Sequence, residues 1–596
     1  MPTLAKTLLL LFFSGWTLAA TAQQRPAAHL LLRNADPRAW WKEAVVYEIY
    51  PRSFQDSNGD GIGDLRGITS RLDYLKSLGV GVIWLNPMFP SPNADNGYDI
   101  SDYRGIAPEY GTMADFDALL KGLHQRGIKL VLDLVANHTS DEHPWFTQSR
   151  SSRTNPYRDY YHWWPAEKGK PPYRRTFFSS DTEAWQYDSL TNSYYLHYYA
   201  VKQPDLNWEN PHVRQQVYSL MRFWLDKGLD GFRMDVIPFI SKDTTWPVLT
   251  AEQRTPLGTR AYYASGPHLH DYLREMNQQV LSKYDLMSVG EASGVGLDKA
   301  LAFIAPARHE LNMIYHFEGR NIPYTSAQEP YPVPNYDFLK FKQVYTAWDS
   351  LFAQQNAWGT IFLGNHDVPR MVSRWGDDRP AFRTASSKLL TTFLLTMRGT
   401  PYYMMGDELG MTSAHFTDVR DYRDIKTVNR YHEIAAAKGD TAAFLADQKV
   451  ISRDNARTPF QWDATSHAGF TTGTPWLKVN PNYATINEAA EAKTPNSVLN
   501  YFRQTMRLRQ QNPVLVYGQY QLLDRDNPHI YAYTRTMGKE RVLIVLNFAS
   551  APHTWALPAG MRLRGQPWLN NYPTWVAGQT LALQPWQAVV VPIVTN

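Results

Sequence analysis

Residues 129–135 read KLVLDLV and residues 229–235 read LDGFRMD. Each is a short apolar run with an acid near its C-terminal end, Asp133 in one and Asp235 in the other. Continuous apolar runs of this length mark strands buried on both faces. Six more stand at 44–50 (AVVYEIY), 80–86 (VGVIWLN), 286–291 (LMSVGE), 311–317 (LNMIYHF), 360–365 (TIFLGN) and 400–405 (TPYYMM). Helical periodicity fills most of the intervals, as at 113–126 and 212–227. Strand alternating with helix requires parallel pairing, so the pattern predicts an α/β fold, a (β/α)8 TIM barrel. The barrel is expected to occupy 23–139 and 206–516. Residues 140–205, rich in Tyr, Trp, Pro and Ser, read as a subdomain inserted after strand three, and 408–465 as an extra subdomain after strand eight. A helix near 497–511 ends this region. Beyond it, 517–596 alternates apolar and polar residues (HIYAYTR, RVLIVLNF), which predicts a C-terminal antiparallel β-sandwich domain.

Composition narrows the function. The 596 residues include no cysteine, and 60 Lys+Arg stand against 56 Asp+Glu for a formal net charge of +4. Without cysteine there are no disulfides, thiolate metal sites, cysteine nucleophile or lipid-modified N-terminal Cys. A near-neutral balance with no long basic run argues against nucleic acid or an anionic membrane as partner. Aromatics make up 14% of the chain, which serves a large core as well as the flat faces of sugars. Residues 1–22 read as a signal peptide, with Lys6, the apolar LLLLFFSGW and an A-x-A site at Ala20-Thr21-Ala22. The apolar stretch falls well short of the ~20 residues that span a bilayer. The expectation is an exported protein, periplasmic or secreted, with no membrane anchor and a monomeric state favoured.

In a barrel, chemistry gathers where strands end and loops begin at the C-terminal face. Polar residues collect there: Asp133 with Asn137-His138, Arg233 with Asp235, Glu291, and His366-Asp367. Residues two apart share a strand face, so Arg233 and Asp235 point together. Like charges raise one another's pKa, while a nearby Arg favours ionisation. Glycoside cleavage needs such a set, one carboxylate to attack the anomeric carbon and a protonated one to release the leaving oxygen. A metal–carboxylate site uses the same residue types, and the residues alone leave that alternative open.

Six motifs carry a resemblance: GVIWLNP (81–87), DLVANH (133–138), QPDLNWEN (203–210), GFRMDV (231–236), VGEASG (289–294) and FLGNHD (362–367). The chain resembles glycoside hydrolase family 13, the α-amylase family, and most nearly its oligo-1,6-glucosidase and α-glucosidase branch. The resemblance implies Asp235 as nucleophile, Glu291 as general acid/base and Asp367 as transition-state stabiliser, with His138, Arg233 and His366 holding the sugar. ADNGYDISDY (94–103) and SRDNARTPFQWD (452–463) add Asp95 and Arg453, a pair that closes the non-reducing end in this branch, and Tyr98, which stacks on the ring. Phe178, in the inserted subdomain, is expected to wall the pocket. The implied activity is that of an exo-acting retaining α-glucosidase on short oligosaccharides. Val236, directly after the nucleophile, resembles the α-1,6-preferring members and favours isomaltose-type substrates. Alternatives on the same scaffold are an α-1,4-preferring glucosidase, a sucrose isomerase or another transglucosylase. FEGRNIPY (317–324) departs from the Arg-rich stretch of isomerases, whereas PFQW (459–462) is nearer to their spelling.

DSNGDGIGD (56–64) sets Asp56, Asn58, Asp60 and Asp64 at alternate positions, with Gly61 at the turn and the Ile62 carbonyl between. It matches the first half of an EF-hand loop, without the closing Glu, since residue 67 is Gly. Related α-glucosidases hold a structural Ca2+ here, so Ca2+ is expected, with Mg2+ as the alternative ion. Trp163-Trp164, Tyr194-Tyr195 and Tyr198-Tyr199 are expected as core of the inserted subdomain ahead of glycan contacts.

Overall fold

The computed structural model describes residues 38–178, 183–254, 262–326, 333–576 and 578–595. The segment read as a signal peptide lies outside the described residues. All eight apolar runs form strands: β1 (Val46–Ile49), β2 (Val82–Leu85), β3 (Lys129–Val135), β4 (Gly231–Asp235), β5 (Met287–Glu291), β6 (Met313–Tyr315), β7 (Thr360–Phe362) and β8 (Thr400–Met404). They pair in parallel in the order β7-β8-β1-β2-β3-β4-β5-β6. Where the two ends of that order meet, the Thr360 hydroxyl donates to the Ile314 carbonyl at 3.2 Å. The result is a nearly closed eight-stranded barrel.

Side chains alternate in and out of the barrel, as strand geometry demands. Val46, Val82, Val131, Val289, Met313 and Tyr402 pack in one buried cluster. The outer helices bury one stripe each. In Met113–Gln125 the buried positions Phe116, Leu119, Leu120 and Leu123 follow the spacing of a single helix face. A reciprocal cap starts that helix, Thr112 accepting from the Asp115 amide and Asp115 from the Thr112 amide. Asn210 caps Pro211–Asp226, the helix that leads into β4.

Register at the heart of the sheet decides the site. Asp133 on β3 lies opposite Arg233 on β4, and Val135 opposite Asp235. Gly231 lets β4 approach β5 closely, because a Cβ there would meet the Met287 carbonyl oxygen at 2.0 Å. Between β3 and β4 the chain forms a three-stranded antiparallel sheet from Trp163–Pro165, Ser193–Leu196 and Trp185–Asp188. Trp163 pairs with Tyr195 and Trp164 with Tyr194, so these aromatics are cross-strand neighbours in that small sheet. After β8 come helices Ile425–Ala436 and Thr441–Ile451. From Gln519 onward two antiparallel sheets enclose their own core, with Leu543, Val545, Trp555, Leu581 and Val589 at its centre. Two buried guanidinium groups work at its junction with the barrel. Arg509, in helix Val498–Gln511, donates to the carbonyls of Leu395, Gly399 and Leu515, and Arg535, within the domain, reaches back to those of Thr396, Val516 and Gly518. Among the described residues no helix is long and apolar enough to cross a membrane.

Candidate active site

The C-terminal ends of β3, β4, β5 and β7 converge on one mouth, and Arg233 organises it. Its Nη1 lies 2.8 Å from Asp133 Oδ1 and 2.6 Å from Asp235 Oδ1, and its Nη2 lies 2.7 Å from Glu291 Oε2. Asp133 is fixed in turn by the Trp84 indole N–H at 2.7 Å. One buried cation thus faces three carboxylates. Burial pushes the Asp235 and Asp133 carboxyls up from the usual range, against the pull of Arg233, and for Asp235 the rise is large. Crowding of buried carboxylates on one guanidinium favours the protonated form of Asp235 and Asp133 relative to free carboxyls.

Val236 departs from ordinary backbone geometry. Its φ of 34° and ψ of 42° are left-handed, rare for a β-branched residue and costing about 1–3 kcal/mol. In that conformation its amide donates to Glu291 Oε2 at 3.1 Å. Glu291 Oε2 therefore accepts two hydrogen bonds, from Arg233 and from Val236. Among the described residues no protein donor meets Glu291 Oε1 or Asp235 Oδ2.

Asp367 sits in the opposite electrostatic setting. Burial alone would raise it, but His366, Arg453, Arg320 and Arg457 together hold it well below the usual carboxylate range. Arg453 Nη1 and Arg457 Nη2 each lie 3.1 Å from its Oδ1. His366 is set by Glu48 on β1, whose Oε1 lies 2.5 Å from Nδ1, and by the Tyr98 hydroxyl 3.0 Å from Nε2. The Tyr98 ring stacks on His366 at 5.4 Å. His138 is buried, with its Nε2 3.2 Å from both the Tyr98 carbonyl and Gln203 Nε2. Burial pushes it down to about 3, so it stays neutral at working pH.

Asp95 and Arg453 approach to 3.6 Å, but Arg453 binds Asp424 more tightly, at 2.5 Å. Burial pushes the Asp95 carboxyl up to about 6, with Arg453 and Arg457 opposing. Gln203 Nε2 donates to its Oδ2 at 3.3 Å. Asp95, Tyr98, His138, Phe178, Asp235, Val236, Glu291, His366, Asp367 and Arg453 line one cavity of about 190 Å3, with Arg233 beneath it. Glu48, Asn86, Gln203, Asp424, Tyr199 and Lys426 also shape this site and were not among the residues picked from sequence. Gln203 and Asn86 stood inside quoted motifs and Glu48 inside a strand run, while Tyr199, of a pair expected as subdomain core, lines the cavity; Asp424 and Lys426 carried no local signal.

The acidic loop lies apart. Asp56 accepts from the amides of Asn58, Gly59 and Gly61 and from the Thr471 hydroxyl. Burial works against these bonds, yet they hold its carboxyl below the usual range. Asp64 accepts from the Ser57 amide and hydroxyl and from the Gly67 amide. Asn58 and Asp60 accept from the amides two residues on, of Asp60 and Ile62. Among the described residues no cluster of three acidic or histidine side chains is poised around a metal position. The side-chain donors and the Ile62 carbonyl are all oxygen, the chemistry a hard cation takes.

Residues 48–518 match the model of the alpha amylase catalytic domain, and 520–590 that of the maltogenic amylase C-terminal domain. The chain belongs to the α-amylase family. It is a glycoside hydrolase, with the family's barrel and C-terminal β domain. It is 49% identical over 563 residues to an oligo-1,6-glucosidase of Parageobacillus thermoglucosidasius, covering 93% of this chain and 99% of the relative. An oligo-1,6-glucosidase of Bacillus cereus is 47% identical over 558 residues, covering 93% and 99%. Among solved structures, the isomaltulose synthase of Klebsiella sp. superposes with a TM-score of 0.89 at 45% identity, over 94% of this chain and all of the other.

The Asp95 carboxyl gives a pH signature. Its folded pKa of about 6 means that the carboxylate, the form able to accept a sugar hydroxyl, is lost as pH falls below that value. We expect kcat/KM to fall through this range in the wild type. Asp95→Asn, fixed as a neutral amide, should lower kcat/KM near neutrality by roughly 10–100-fold and remove that limb. A limb that persists in Asp95→Asn assigns it to another group.

Proposed function

We propose that this α-glucosidase is exo-acting and retaining, and that it releases glucose from the non-reducing end of short α-glucosides, with α-1,6 links preferred. The observation that carries the reading is the single Arg233 guanidinium bound to both Asp235 and Glu291. Holding both carboxyls on one small cation suits the short separation, about 5–5.5 Å, that retention requires.

In the first step Asp235 Oδ2 attacks the anomeric carbon as the glycosidic C–O bond breaks. Glu291, whose Oε2 is occupied by two donors, carries its proton on Oε1 and gives it to the departing oxygen. In the second step the Glu291 carboxylate takes a proton from water. The resulting hydroxide equivalent attacks the same carbon and expels Asp235, so the configuration is retained overall. Asp367, kept ionised by its cations, lies beside the positive charge that develops on the ring. Neutral His138, His366 and the Asp95–Arg453 pair take the sugar hydroxyls, and Tyr98 and Phe178 supply apolar faces. The approach of Asp95 and Arg453 to 3.6 Å in the cavity wall supports exo action. The branched Val236 side chain at the wall supports the α-1,6 preference, an effect of about 1–3 kcal/mol.

Sucrose isomerisation is the second reading. The likeness to isomaltulose synthase and the placement of Arg320 at the pocket favour it. Product analysis on isomaltose, maltose and sucrose separates the two. We expect glucose from isomaltose at a higher kcat/KM than from maltose, and Asp235→Asn to lose more than about 10^3-fold in kcat while folding normally. Isomaltulose or trehalulose as the main product from sucrose would overturn the hydrolase reading.

We further propose that Asp56, Asn58, Asp60, Asp64 and the Ile62 carbonyl hold a structural Ca2+, which would clamp the loop after β1 to the Thr471 segment. Chelation should lower the melting temperature and release about one equivalent of metal, with Ca2+ restoring the melt. An unchanged melt with no bound metal would remove the proposal. The Lys6 and Ala20-Thr21-Ala22 pattern supports export and cleavage after Ala22. Mass spectrometry of protein recovered outside the cytoplasm should find Gln23 at the N-terminus, and an intact Met1 there would contradict cleavage.

A further inference from the structure

Next to the glucose pocket opens a larger cavity of about 480 Å3. Ser293, Arg320, Asp367, Lys426 and Arg453 line both. Ser293, two residues after Glu291, stands in both walls, so the larger cavity reaches the neighbourhood of the proposed acid.

The charges in its wall are unequal. The two acids, Asp367 and Asp424, are both engaged by Arg453, at 3.1 and 2.5 Å. Arg430 is paired with Glu433 at 2.9 Å. Three other cations have no carboxylate within ion-pair distance among the described residues. Arg320 donates to the Asp367 carbonyl at 3.2 Å and lies over the Phe317 ring. Arg374 donates to the carbonyls of Asn335 and Ile322. Lys426 is exposed and lines the cavity; its amide donates to Asp424 Oδ1 at 3.2 Å, and its ammonium makes no hydrogen bond or ion pair with a described residue. A neutral disaccharide brings this excess of positive charge no counter-charge. A cleft walled by one sign of charge focuses its field on a ligand of the other.

We propose that this cavity binds an aglycone carrying an oxyanion, a carboxylate or a phosphate ester, so that the preferred substrates are α-glucosides of acidic sugars or polyols. The proposal rests on the α-glucosidase reading and names the substrate class of that site. Lys426 is the group that gains a partner when such an aglycone enters, and Arg320 flanks it at the boundary between the two cavities.

The test compares three α-1,6-glucosides: glucosyl-gluconate, glucosyl-glucitol, and glucosyl-glucitol phosphorylated on its far terminal carbon. The first two differ only in carboxylate against hydroxymethyl. We expect kcat/KM for at least one anionic substrate to exceed that for the neutral one by roughly tenfold at low salt, with the ratio shrinking as salt rises. Which anionic arm leads separates carboxylate from phosphate. Lys426→Gln should bring the ratio several-fold closer to one, and Lys426→Arg should keep it. A ratio of one or below for both anionic substrates, or a preference that survives Lys426→Gln, overturns the inference. Release of glucose from the neutral glucoside checks the underlying activity separately. If it is cleaved without an anionic preference, only this inference falls; if none of the three is cleaved, the glucosidase reading falls with it.

Discussion

One guanidinium against three carboxylates is the interaction on which the site depends. Arg233 reaches Asp133, Asp235 and Glu291 from within the barrel wall, at 2.6–2.8 Å in each case. Removing the cation would leave three buried acids to repel one another. Removing one acid would change which of the others keeps a proton. A buried network of this kind is costly to form and costlier to break, and what it secures here is geometry. The two carboxyls proposed to act in sequence on one carbon are held on one cation.

The fold is arranged to deliver that ion. Pairing of β3 with β4 sets Asp133 opposite Arg233, alternation along β4 turns Arg233 and Asp235 the same way, and Gly231 allows the approach to β5 that brings in Glu291. Val236 then leaves the strand in a left-handed turn whose amide fixes the second carboxyl. That strained residue is held by the packing on both sides of it, with Phe239 and Ile237 buried in the turn that follows. A separate group of cations around Asp367 gives the opposite polarity in the wall of the same cavity. An ionised Asp367 suits a group placed beside developing positive charge.

The barrel was legible because buried parallel strands leave a mark on composition. Each of the eight apolar runs is a strand; 129–135 is one from end to end, and the others are trimmed at their ends by up to three residues. Asp133, Arg233, Asp235, Glu291 and the His366-Asp367 pair stood out because they end those strands. Residues that hold the site from a distance left no such mark. Glu48 on β1 orients His366 across more than 300 positions of sequence, and its run reads as simply apolar. Asp424 binds Arg453 more closely than Asp95 does, yet it sits in a helix cap where an Asp is ordinary. Gln203 ties Asp95 to His138 from the inserted subdomain, and only its place in a motif hinted at a role. Pairing between distant segments depends on how loops return to the mouth of the barrel, and local periodicity does not encode that. The left-handed turn at Val236 was hidden for a related reason, since nothing in a β-branched side chain announces it.

The central claim is that Asp235, held by Arg233, is the group that bonds to the sugar. A fluorinated α-glucosyl fluoride, which forms the glycosyl-enzyme quickly and hydrolyses slowly, can trap that bond for peptide mass spectrometry. We expect one fluoroglucosyl adduct, on Asp235, and release of the α-anomer from ordinary substrate. An adduct on Glu291 or Asp367, or release of the β-anomer with no adduct, would contradict it.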